Sequence, residues 1–123
     1  MSGKRSRGLL DAPVKRVPKP WGYELWFAQA ARYVGKILVI EKGHRLSKQY
    51  HRVKHETLYT LRGRWWMELD GKGKAMRPGS AVVIPPGAVH RMEARWGRVT
   101  LLEVSTPEVH DIVRLSDDYG RTP

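Results

Sequence analysis

What most constrains this chain is its punctuation. Short aromatic and β-branched runs recur throughout it, most of them followed within three residues by a glycine, a proline or an Asp-Gly pair. The runs are Gly22–Phe27, Tyr33–Glu41, Thr57–Arg62, Arg64–Leu69, Ala81–Ile84, Val89–Ala94 and Val99–Val104. Asp70-Gly71 is a hairpin signal between Trp66–Leu69 and the stretch around Ala75-Met76. Pro85-Pro86-Gly87 ends the Ala81–Ile84 run sharply. One short helix is expected near Pro107–Leu115. Many short strands at close spacing predict an antiparallel sandwich or barrel. Trp65 and Trp66 fall on opposite faces of one strand, so at least one of them belongs to a core or an interface.

The 123 residues suffice for one domain with a core of its own. The absence of cysteine excludes disulfides, thiolate nucleophiles and cysteine-ligated metals. There is no P-loop, no G-x-G-x-x-G and no internal repeat. No window nears the length of a membrane span, and Gly8-Leu9-Leu10 is too short for a signal peptide, so a cytoplasmic protein is expected. Lys and Arg number 23 against 12 Asp and Glu, a net charge of +11. That excess points to anionic partners. Six of the bases and one acid lie in residues 1–20, with Pro13, Pro18 and Pro20. These residues read as a basic, Pro-rich arm preceding a single domain, 21–123. Removal of residues 1–17 is expected to spare the fold. The arm is the only nucleic-acid footprint, and no specific nucleic-acid function is expected.

Four residues carry the chemistry. Gln49 and His51 are two apart and share a strand face. Glu56 returns to them if residues 52–55 turn the chain, and His90 follows the Pro-Pro-Gly stop. An amide oxygen, two imidazoles and a carboxylate can converge inside a barrel, a set that suits zinc, manganese, iron, cobalt or nickel. His44 and His55 read as surface residues, and His110 is given no chemistry.

The spacing resembles that of the cupins. Gly43, Gln49, His51, Glu56 and Gly63 match the first cupin motif, with Gln49 in place of its first histidine. Gly79, Pro85, Gly87 and His90 match the second, with Ala94 in place of its closing asparagine. Within the cupins the chain is similar to the C-terminal domain of type II mannose-6-phosphate isomerases. Lys19–Glu24, the Leu46-Ser47 and Gln49–Glu56 register, Glu103–Pro107, Asp111–Arg114 and Asp118–Arg121 carry that likeness. Lys48, Arg52, Val53, Lys54 and Thr57 depart from it. The resemblance implies an all-β jelly-roll barrel holding one divalent metal ion on Gln49, His51, Glu56 and His90. It implies isomerisation of a phosphorylated sugar, mannose 6-phosphate to fructose 6-phosphate first. Arg45, then Arg114 and Lys48, are the phosphate candidates, and Glu103 is the candidate base. The alternatives are a non-catalytic metal-binding cupin that takes carbohydrate or a small anion, and a metal-dependent oxygenase, which the amide ligand disfavours. A homodimer is expected, with the first strand and Trp21 or Trp26 crossing to a partner.

Overall fold

The computed structural model describes residues 9–122. Eleven strands follow one another: β1 Lys15–Lys19, β2 Gly22–Gln29, β3 Val34–Ile40, β4 Lys48–Tyr50, β5 Glu56–Arg62, β6 Trp65–Leu69, β7 Lys72–Met76, β8 Ala81–Ile84, β9 His90–Glu93, β10 Val99–Ser105 and β11 Val113–Ser116. They form two antiparallel sheets, ordered β1-β2-β3-β10-β5-β8 and β11-β4-β9-β6-β7. There is no helix among the described residues, so none is long and apolar enough to cross a membrane.

Strand alternation decides what enters the barrel. On β5, Glu56, Leu58 and Thr60 are buried, while Thr57, Tyr59 and Leu61 alternate outward. On β10, Val99, Leu101 and Glu103 are buried. The inward row therefore changes character along the barrel. One part is dry, with Leu38, Ile40, Leu58, Trp65, Ile84, Met92 and Leu101 in a single cluster. Further along, the same faces present Lys36, Glu56 and Glu103, all buried. Buried charges cost several kcal/mol each unless paired, so their concentration in one place marks a site rather than a packing solution.

The hairpin at Asp70-Gly71 forms as expected. Both residues are left-handed, φ 48° and 81°, the pairing that suits the twist of β6 and β7. Trp65 is buried and donates from Nε1 to Thr60 Oγ1 at 2.8 Å. Trp66 lies on the other face over Gly73, where a Cβ would come within 2.1 Å of its ring.

Two expectations need correction. The arm is shorter than composition suggests, because Lys15–Lys19 pairs with β2 as an edge strand. An edge tolerates Pro18, which has no N–H to offer, and Arg16 stacks 3.6 Å from the Tyr23 ring centroid. Residues 1–8 of the predicted arm lie outside the described residues. β1 covers the chain's own β2, Trp21 is in the core, and Trp26 donates from Nε1 to Glu24 at 2.8 Å. Finally, Pro107–Leu115 is not helical but a series of turns leading into β11. Asp111, inside that stretch, accepts hydrogen bonds from a distant loop.

Candidate metal centre

β4 and β9 pair so that Gln49 stands opposite His90. His51 follows β4, and Glu56 opens β5. All four side chains are buried. The His51 and His90 ring centroids are 5.1 Å apart, and His51 Nε2 lies 2.7 Å from Glu56 Oε2. One ligand atom from each of His51, Glu56 and His90 falls within 4.8 Å of the others.

Hydrogen bonding behind the rings fixes which nitrogen faces inward. His51 Nδ1 donates to the Asp111 carbonyl at 2.5 Å, and His90 Nδ1 donates to the Ala88 carbonyl at 2.9 Å. Both Nε2 atoms of the neutral rings are therefore bare lone pairs. His51 Nε2 is buried without a donor, directly against a carboxylate oxygen. With the ring neutral these two lone pairs repel; a proton on Nε2 makes the contact a hydrogen bond, and a metal ion can take that proton's place. The donor set of two imidazoles and a carboxylate fits a borderline divalent metal. Gln49 is held by Ser47, whose hydroxyl donates to Oε1 at 2.6 Å, while Nε2 lies 3.5 Å from His90 Nε2. Turned over, the amide donates to Ser47 Oγ and offers its oxygen as a fourth ligand, so both settings satisfy Ser47.

The local charges match this role. Burial would raise the Glu56 carboxyl, but the His51 hydrogen bond and the Lys54 charge outweigh it and hold the pKa at about 2. Burial lowers the His90 imidazole, favouring the neutral, ligating form. Lys54 reaches in from the loop, its Nζ 3.0 Å from Glu103 and 3.7 Å from Glu56. Burial works against its charge, but the Glu103 and Glu56 carboxylates overcome that and raise its pKa. Burial, then the charge of Glu56, pushes Glu103 above the usual carboxylate range.

The loop that carries Lys54 is strapped from the C-terminal side. The Asp111 carboxylate accepts the backbone N–H of Arg52, Val53 and Lys54 at 3.0, 2.7 and 2.9 Å. These bonds hold its pKa at about 2. His55 N donates to Thr106 Oγ1 at 3.0 Å, and Thr106 N returns a bond to the His55 carbonyl. Arg52, Val53 and His55 consequently point outward, and only Lys54 points in.

The centre opens into a cavity of about 390 Å³. Its charged lining is Lys15, Lys19, Lys36, Lys54 and Arg114 against Glu24, Glu56 and Glu103. Lys36 lies 3.5 Å from Glu24 and 4.3 Å from the Trp26 ring centroid.

Of the predicted site residues, Gln49, His51, Glu56 and His90 are brought together, and Glu103 and Arg114 face the same cavity. Glu103 lies on β10 between β3 and β5, not at an edge. Arg45 is a correction. It sits on the outside, forked onto Asp118 at 2.7 and 3.0 Å, because the chain before β4 makes only an isolated bridge to Glu93 there. Lys48 also lies outside the cavity lining, one residue out of phase with Gln49. His110 lines the cavity, although no local sequence signal points it there. Lys54, Lys36, Glu24 and Lys19 were not singled out. Parity was the available signal: Lys54 is two residues from Glu56, and Lys36 interrupts an otherwise apolar run.

The matching family is the Cupin domain, whose model covers residues 36–104. The chain belongs to the cupin family. No functionally curated protein matches it. Among solved structures it is similar to KdgF from Halomonas sp., at 18% identity and TM-score 0.69, covering 80% of this chain and 89% of that one. It is similar to Pac13, a nucleoside dehydratase of Streptomyces, at 15% identity and TM-score 0.71, covering 85% and 86%. A candidate sugar phosphate isomerase from Acidithiobacillus ferrooxidans matches at 19% identity and TM-score 0.57, over 61% of this chain and 50% of that one. At these identities the likeness shows the fold alone.

Proposed function

We propose that this cupin is a metal-dependent isomerase of a sugar bearing an anionic group, with mannose 6-phosphate to fructose 6-phosphate as the first reaction to test. The observation that carries the reading is the convergence of ligand atoms from His51, His90 and Glu56 around the partnerless His51 Nε2, opening into a cavity with more cations than carboxylates. A divalent ion held there supplies a Lewis acid for neighbouring carbonyl and hydroxyl oxygens. Aldose–ketose isomerisation removes a proton from the carbon beside the carbonyl and returns one to the former carbonyl carbon, with no net oxidation. Glu103 faces the cavity with a pKa raised by burial; in this reading it accepts that proton, and Lys54 steadies its charge. Leu38, Leu46 and Met92 form the apolar walls that limit water. The sugar-phosphate description of one structural neighbour is compatible with this assignment.

A second reading is a non-catalytic metal cupin that binds carbohydrate or a small anion. It is favoured by one observation: Glu24 and Glu103 are both already engaged by lysines, Lys36 and Lys54. Elemental analysis with a coupled isomerase assay separates the two. Isomerisation expects one metal per chain, turnover, and a loss of at least about 100-fold in kcat for Glu103→Gln with metal content unchanged. One bound metal with sugar-phosphate binding but no turnover selects the second reading.

A further inference from the structure

Among the described residues three of the cavity's cations form no ion pair: Lys15, which lies 5.3 Å from the Trp26 ring centroid, and Lys19 and Arg114, which come together. Arg114 stands opposite Gln49 in the β11–β4 register, so its side chain shares the inward face of a metal-ligand candidate. Its Nε is buried without a hydrogen-bond partner. Lys19 comes from the opposite sheet, at the end of β1, on the same face as Lys15 and Val17. Both line the main cavity and a side niche of about 50 Å³ beside Gln49. Among the described residues, neither forms an ion pair.

The neighbours do not supply the missing anion. Glu24 lines the niche, but it accepts from Trp26 Nε1 and lies 3.5 Å from Lys36 Nζ. Arg121 lines it too, but is forked onto Asp117 at 2.9 Å from both Nε and Nη2. Burial, followed by like charge from Lys36, Arg114 and Arg121, depresses the Lys19 ammonium despite the attraction of Glu24. Burial and Arg121 do the same to Arg114, despite the attraction of Asp117, whose carboxylate is forked by Arg121. Two half-buried cations held close to one another, one with an orphaned donor, are destabilised until an anion arrives.

We propose that Lys19 and Arg114 form the anion subsite of the cavity, holding the phosphate or carboxylate of a sugar whose reacting carbons lie at the neighbouring metal centre. The assignment of that anion to a sugar rests on the function proposed above; the subsite itself rests on these two side chains. A guanidinium edge beside an ammonium suits a tetrahedral or planar oxyanion. The strand β1, which composition alone would assign to a dispensable arm, then supplies half of the selectivity.

The test is titration of the full-length protein with inorganic phosphate and, separately, with acetate, both as purified and after chelation of metal. Thermal stabilisation and calorimetry are the readouts. Lys19→Gln and Arg114→Gln are each expected to weaken anion binding by about tenfold or more. Metal per chain should be unchanged in both, and Arg45→Gln should behave as wild type. Arg114→Lys should retain most of the binding, which separates lost charge from lost folding. Preference for phosphate assigns a sugar phosphate, and preference for acetate assigns a sugar acid. No anion binding by the wild type, or equal binding by the wild type and both glutamine variants, overturns the subsite. If the anion depends on both residues but no sugar phosphate is isomerised, the catalytic reading fails and the subsite stands.

Discussion

Asp111→Ala probes how the candidate centre is held rather than what binds there. One residue performs two tasks: its carboxylate gathers three backbone N–H groups of residues 52–54, and its carbonyl takes the proton of His51 Nδ1. A hydrogen bond to a charged group contributes roughly 1.5–3 kcal/mol. At this half-exposed loop, solvent screening and rehydration of the freed N–H groups reduce the sum of three to about 2 kcal/mol. For a domain of this size that is a fall in Tm of roughly 6–10 °C. The carbonyl remains in the variant, so His51 keeps its tautomer. The loss is in the placement of His51, Lys54 and Glu56 relative to one another. Metal affinity is accordingly expected to fall by about 10–100-fold rather than to vanish. Asp111→Asn keeps one acceptor oxygen and should fall between. Calorimetric unfolding with metal titration measures both effects. An Asp111→Ala protein that melts within about 1 °C of wild type and binds metal equally would show that the strap does not position the centre.

His51→Ala and His90→Ala should abolish stoichiometric metal, Gln49→Ala should weaken it partly, and His55→Ala should leave it unchanged, since His55 points outward; metal per chain after dialysis decides. Deletion of residues 1–14 should preserve Tm and metal content, whereas deletion of 1–20 removes β1, uncovers β2 and should lower Tm and anion binding together. The Arg121 hydrogen bonds hold the Asp117 carboxyl at about 2 instead of 3.8. Its folded pKa is depressed, so its contribution is complete above the unfolded value and fades as pH falls through the folded one. Asp117→Asn should therefore melt below wild type at neutral pH, and the gap should close between pH 3.8 and about 2; a gap that persists at the acid end counts against the pairing.

The parts of this molecule that were legible in its sequence are those governed by local rules. Period-two alternation located most strands, Asp70-Gly71 located its hairpin, and the Gly43–Gly63 and Gly79–His90 spacings located four residues that the fold brings together. Reading failed where a residue's partner is remote. Arg45 lies four residues before Gln49 and would share its face on a continued strand, but β4 begins at Lys48, and Asp118 claims the guanidinium from 73 residues away. Asp111 looked like part of a helical exit because nothing local reveals that its hydrogen-bond donors are Arg52 to Lys54. Lys15–Lys19 looked like a tail because lysine and proline blunt an edge strand in the same letters that spell a linker.

The division between those two kinds of residue follows the division of labour in the cavity. Gln49, His51, Glu56 and His90 all fall inside residues 36–104, the span the Cupin domain model covers, and so do Lys54 and Glu103. Lys15, Lys19, Glu24 and Trp26 precede that span, and His110, Ile112 and Arg114 follow it. The metal-ligand candidates therefore rest on the barrel's central strands, whose register is fixed by a buried apolar row and tolerates little change. Lys36, Lys54 and Glu103 also face the cavity from within that span, while the side chains outside the span come from β1 and β2 and from the last turns and β11, of which β1 and β11 are edges. Edge segments can vary in sequence without dismantling the core. A barrel of this kind can keep one metal chemistry while exchanging the cations that choose its substrate, and Lys19 and Arg114 stand where such an exchange would act.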